Sequence, residues 1–163
     1  MDRPAGTLST TLQKATMKTI LVLATLAAAS IGAQASCSIT MVRHDTVSAA
    51  FKKHGGWTMD VNKFDTLCEK LRKSRARISV QAASTVLAER SIGWAALSVQ
   101  DLDSEIGTIS YARHNTSTDT YASADKAEQL MVKAINGAAE DWSGVDQALA
   151  ELDVERKRAR RAR

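Results

Sequence analysis

Proline is nearly missing from this chain, with one in 163 residues, and aromatic residues make up only 4%. A sandwich of many short strands normally carries more of both, so this scarcity argues against an all-β architecture. The three histidines, His44, His54 and His114, show neither HxxxH nor HxH spacing and sit in no Cys/His cluster. The spacing therefore assigns no metal site and no cofactor. G-x-S-x-G, G-x-G-x-x-G, a Walker loop and H-E-x-x-H are all absent, so no catalytic residue is assigned either. No apolar run reaches the roughly twenty residues of a membrane-spanning helix.

The longest apolar run, Ile20 to Ala33, reads instead as the core of a secretory signal. Met17-Lys18 gives it a short positive start, and Ala33-Gln34-Ala35 offers small residues where a signal peptidase must fit. Cleavage is expected before Ser36, with translation starting at Met17 and residues 1–35 excluded from the fold. A rival reading attaches lipid at Cys37, as in bacterial lipoproteins. Gln34 stands where the lipobox wants a large aliphatic residue. The expected location is periplasmic or secreted.

Cysteine is scarce as well, but Cys37 and Cys68 form an even pair. In an oxidising compartment the simplest outcome is one disulfide. Closing a loop of that length contributes on the order of 3–4 kcal/mol in the chain-entropy model. The alternative is a reactive thiol at Cys68.

Charge is unevenly placed. Without residues 1–35 the chain holds 19 basic and 17 acidic residues, and six of the cations fall in the last eight positions. The body from Ser36 to Val154 is net negative, so the high overall pI does not describe a basic globule. Arg156, Lys157, Arg158, Arg160, Arg161 and Arg163 form a tail (residues 155–163) that is expected to be disordered. Lys70, Arg72, Lys73, Arg75 and Arg77 form a second basic cluster. Each is either a solvated end or a patch for anionic lipid, polymer or nucleic acid.

Residues 36–154 read as a single α+β domain. Ser38 to Arg43 suits a short strand and Thr46 to Lys53 a short helix, broken at Gly55-Gly56. Asp60 caps an amphipathic helix with Val61, Phe64, Leu67, Cys68 and Leu71 on one stripe. Strands are expected over Arg77–Leu87, Ile92–Val99 and Ile106–Arg113, with helix an alternative over 80–88 because of its alanines. The short connections between them require an antiparallel meander. Ser123 caps a long helix with Ala127, Leu130, Met131, Ala134, Ile135, Ala138 and Trp142 on its apolar face. A further helix starts at Val145. The predicted fold is thus a two-layer α-β-β-β-α domain, a three-stranded antiparallel meander packed by two helices, with an extra C-terminal helix. Double-stranded RNA-binding domains share this order of elements. The likeness is one of topology alone, since Ala124-Asp125-Lys126 opens the last helix where a basic motif would be needed.

One segment stands out as a ligand-binding candidate. Arg113, His114, Asn115, Asp119 and Tyr121 lie in a nine-residue polar stretch, 113–121, read as a loop before the long helix. Such a loop could hold an anion or sugar at the helix N-terminus, or be a plain solvated connection. Trp57 beside Gly55-Gly56 is a candidate exposed platform, whereas Trp94 and Trp142 are assigned to the core. The leading functional reading is a non-catalytic, exported bacterial envelope protein that binds another protein or an anionic surface polymer. An anionic membrane surface is a further partner. The alternatives are a small secreted hydrolase using the 113–121 loop with His114 as base, and nucleic-acid or anionic-surface binding through the basic patches. Nucleic acid is the least favoured partner.

Overall fold

The computed structural model describes residues 37–162. The segment expected to direct export, the cleavage site expected before Ser36 and Arg163 lie outside the described residues. The elements run β1 (Met41–Val42), α1 (Asp45–Lys53), α2 (Val61–Lys73), β2 (Ala76–Leu87), β3 (Arg90–Asp101), β4 (Arg113–Asp119), α3 (Ala124–Glu140) and α4 (Val145–Arg161). The fold is α+β, with one four-stranded mixed sheet in the order β1-β2-β3-β4. β1 pairs in parallel with β2, so the meander of β2, β3 and β4 gains a short parallel edge.

The helix starts follow their caps. Asp60 Oδ1 accepts from the Asn62 and Lys63 backbone N–H groups at 3.0 and 3.1 Å. Ser123 Oγ accepts from Lys126 N–H at 3.1 Å. Each cap satisfies donors that the first turn leaves without a helical partner. The buried strand residues Ala76, Ile78, Val80, Ala95, Leu97 and Val99 all lie on one face of the sheet, and they join the apolar stripes of all four helices in one core. No helix among the described residues is long and apolar enough to cross a membrane.

Cys37 and Cys68 are joined as expected, with Cα atoms 6.0 Å apart and Cys68 buried in the core. The Cys37 sulfur, which lipid attachment would need, is engaged in this bond, and Cys68 is not a free thiol. A structural disulfide points to an extracytoplasmic location. Reducing it, or replacing both cysteines with serine, should lower stability by about 3 kcal/mol, read from urea unfolding. No loss on reduction would show that the bond constrains little.

Three predicted segments are corrected. The third strand is not Ile106–Arg113. That stretch makes a single bridge, Gln100 to Gly107, then turns, leaving Ile109 83% exposed. The third meander strand is β4, Arg113–Asp119, which fills most of the 113–121 segment expected to be a loop. β4 contains no apolar residue, because it is an edge strand packed by the small surface of α3, where Gly137 meets the Asn115 side chain. The basic tail is not disordered either: α4 continues to Arg161. Val145, Ala148, Leu149 and Leu152 bury its first turns, and cations suit the negative end of a helix dipole.

The hairpin between β2 and β3 turns on Ala88 and Glu89, with φ of 44° and 64°. Two successive left-handed residues favour Asn-Gly, and neither is present. Ala88→Asn with Glu89→Gly should raise stability by about 1 kcal/mol in the same unfolding assay. A loss of stability would mean that the native side chains make compensating contacts.

Candidate functional site

Strand alternation splits the sheet into two unlike faces. Helices cover the face bearing Ala95, Leu97 and Val99. The other face carries no helix among the described residues. At its centre stands Trp94, 40% exposed, paired across the sheet with Ala83 of β2 and Thr116 of β4. Ile92 lies between Thr85 and Thr118, and Ala96 between Gln81 and His114. Toward the far end, Arg77 pairs with Gln100, donating from Nε to Oε1 at 3.1 Å and from Nη2 to the Ser104 carbonyl at 3.1 Å. No residue of β2, β3 or β4 that points to this face is acidic. The result is a flat indole bordered by Ala83, Ile92, Ala96 and Thr116, with hydroxyl, amide and imidazole groups beyond them and an arginine toward each end, Arg77 and Arg90.

Two tryptophans exchange the roles the sequence suggested. Trp94 is not core. Its neighbours in the period-two alternation are Ile92 and Ala96, while Leu97 and Val99 point the other way. Trp57 is not an exposed platform: it is partly buried and packs edge-on to Phe51 and Phe64, with ring centroids 5.2 and 6.3 Å away. Trp142 is core as expected and donates from Nε1 to the Tyr111 carbonyl at 2.8 Å.

The five residues singled out between 113 and 121 do not converge. His114 points to the open face, whereas Arg113, Asn115 and Asp119 point to the helix side. Asp119 accepts the Tyr121 N–H at 2.8 Å and pairs with Lys126 at 3.2 Å. These two contacts, the backbone bond first, hold its carboxyl below its usual range. Tyr121 is exposed beyond the strand, and its carbonyl accepts from the buried Ser91 hydroxyl at 2.7 Å. The hydrolase reading needed a convergent loop. A strand that sends alternate side chains to opposite faces does not supply one.

Four cations of the first basic patch, and two of the C-terminal one, are spent within the molecule. Lys70 pairs with Asp146, Arg72 and Lys73 with Glu69, Arg75 with Asp103, and Arg158 with Glu155. Arg156 is mostly buried and holds Asp101, Asp153 and two backbone carbonyls. Among the described residues, Lys157, Arg160 and Arg161 form no ion pair with an acidic side chain. Arg163 lies outside the described residues.

Cavities are small. A groove of about 260 Å³ between α2 and the α3–α4 corner has a floor of Leu67, Ala139, Trp142 and Val145. It lies just below the size of ordinary small-molecule sites, and Lys63–Glu140 bridges it at 3.2 Å. Apart from these surfaces, the fold gathers one set of metal-ligating types that the spacing gave no hint of: His54, Asp125 and Glu128.

No protein-family model matches the chain, and no curated protein matches it. A solved structure of a candidate lipoprotein from Caulobacter crescentus CB15 is similar over 66% of this chain and 93% of that one, at 12% identity and a TM-score of 0.23. At that TM-score the likeness supports no inference about fold or role.

Proposed function

We propose that the protein is an exported binding module that holds an anionic surface polysaccharide against the open sheet face, with Trp94 as the stacking platform. One observation carries this reading: a tryptophan left 40% exposed at the middle of an uncovered sheet. Exposed aromatic rings on soluble proteins favour partners that are apolar on one side and polar at the edge, and a sugar ring has that form. The surroundings fit. Thr85, Thr116, Thr118, Gln81 and Gln100 offer donors and acceptors for hydroxyls. Arg77 supplies positive charge, and no residue of β2, β3 or β4 on this face is a carboxylate that would repel an acidic polymer. A protein partner would be better served by a more apolar centre than one tryptophan among alanines and threonines.

The test is sedimentation of the purified protein with isolated anionic cell-envelope polysaccharide. Trp94→Ala should reduce affinity at least about tenfold, as befits loss of a central aromatic anchor. Its circular dichroism should stay unchanged, because the side chain contributes little to the core. Tyr121→Ala, outside the face, should bind like wild type. Equal binding by wild type and Trp94→Ala would refute the assignment.

A further inference from the structure

His54 closes α1, and Asp125 and Glu128 stand on the first two turns of α3, more than seventy residues away in sequence. The fold brings His54 Nε2 to 3.8 Å from Asp125 Oδ1 and 3.6 Å from Glu128 Oε2. One donor atom from each residue lies within 4.8 Å of the others. The imidazole side chain is only 13% exposed, and its Nε2 is buried with no hydrogen-bond partner. The ring nitrogen faces both carboxylates at ion-pair range but beyond hydrogen-bond distance, a gap that a cation bonded to all three would close.

In this structure the Lys53 ammonium occupies part of that position. Its Nζ lies 2.7 Å from Asp125 Oδ1 and 2.8 Å from Glu128 Oε2. The same two oxygens face both the ammonium and the imidazole. The two carboxylates, Asp125 first, push the Lys53 ammonium up to about 12, and Lys53 in turn holds both carboxyls below their ordinary range. The cluster is arranged around a positive charge. The ammonium satisfies the two oxygens, and no donor or acceptor, the ammonium included, lies within hydrogen-bond distance of His54 Nε2.

We propose that His54, Asp125 and Glu128 bind one divalent transition ion of the zinc class, which displaces the Lys53 ammonium and ties the end of α1 to the start of α3. A tetrahedral zinc centre with bonds of about 2.0–2.1 Å separates its donor atoms by roughly 3.3–3.4 Å. The two histidine-to-carboxylate distances exceed that by only a few tenths of an ångström. One nitrogen and two oxygens are the ligands that zinc accepts, and three protein ligands leave a fourth position to solvent. Both cysteines are held in the disulfide and cannot compete as thiolates. Lys53 is then a competitor, and removing it strengthens the site.

The test is titration of the purified, disulfide-bonded protein with zinc chloride by calorimetry, with cobalt(II) absorption as a second readout. Wild type should bind one equivalent of zinc, and its thermal midpoint should rise on binding. Glu128→Gln and His54→Gln should each weaken binding at least tenfold, and Lys53→Met should tighten it by a similar factor. His114→Gln should leave it unchanged. If His54→Gln fails to fold, the surface variants Glu128→Gln and Lys53→Met still decide. Absence of saturable binding overturns the proposal. So does binding that survives Glu128→Gln, or that Lys53→Met weakens, since either outcome puts the ion elsewhere.

Discussion

Gly93→Ala should be the most damaging single-methyl change in the molecule, removing at least about 4 kcal/mol of stability. Gly93 lies on the covered face of β3, where α3 crosses the sheet. A Cβ built there would fall on the backbone of Leu130 and Met131. Side chains can rotate away from an intruding methyl, but a helix backbone inside a packed layer has to move as a unit. That movement would disturb Leu130, Met131, Ala134 and Ile135, all at most 4% exposed. A small domain has only about 5–15 kcal/mol in total, so much of the population should unfold at physiological temperature. Gly137→Ala makes the matching control. Its Cβ would meet the end of the Asn115 side chain, which can turn aside. The gain in helix propensity offsets the disturbance, so the change should stay within about 1 kcal/mol. Urea unfolding of both variants checks this, and a Gly93→Ala protein as stable as wild type would show that α3 does not sit so close to the sheet.

Arg156→Ala should cost about 4 kcal/mol, the range for breaking one side of a buried charge pair. The Arg156 and Asp101 side chains are 14% and 11% exposed, and the guanidinium Nε donates to the Asp101 carboxylate. Its two terminal nitrogens donate to the carbonyls of Ser74 and Arg75, at 2.9 and 2.7 Å. These carbonyls lie at the C-terminal end of α2, where a cation also meets the negative pole of the helix. Arg156 therefore binds the end of α2, the end of β3 and α4 together. Truncation leaves Asp101 buried with one partner fewer.

The pH dependence follows from Asp101. Burial raises its carboxyl, but hydrogen bonds from Ser104, Arg156 and the Asp103 backbone together outweigh burial and hold it below its ordinary value. A depressed carboxyl contributes stability above its unfolded pKa and loses that contribution as pH falls through the folded value. Wild type should therefore lose stability on acidification below about pH 4, where unfolded carboxyls titrate. Arg156→Ala should show a shallower loss there. Identical slopes for both proteins would mean that the ion pair is not the source.

Where one pattern determined one outcome, the sequence was readable. The stripes of α2 and α3, their Asp60 and Ser123 caps, and the Cys37–Cys68 bond all follow from local chemistry. β4 was not readable in this way, because Arg-His-Asn-Thr-Ser-Thr-Asp contains no apolar residue to mark a covered face. Only the contact with Gly137 on α3, distant in sequence, explains how such a strand can be packed. The C-terminal cations looked like a solvated tail because the partners of Arg156, Asp101 and the end of α2, lie far away in the chain. Trp94 was within reach of period-two counting: an odd separation from Leu97 and Val99 puts it on the opposite face. The His54 cluster was not within reach, since nothing local links position 54 to positions 125 and 128.

The most direct measurement is a backbone amide NMR titration of the isotope-labelled protein with soluble fragments of anionic envelope polysaccharide. If the uncovered side of the sheet is the working surface, shifts should concentrate at Gln81–Thr85, Ile92–Ala96 and His114–Thr118, with the Trp94 indole N–H moving most. Shifts confined to the α2 and α4 surfaces, or no shifts at saturating polymer, would contradict it.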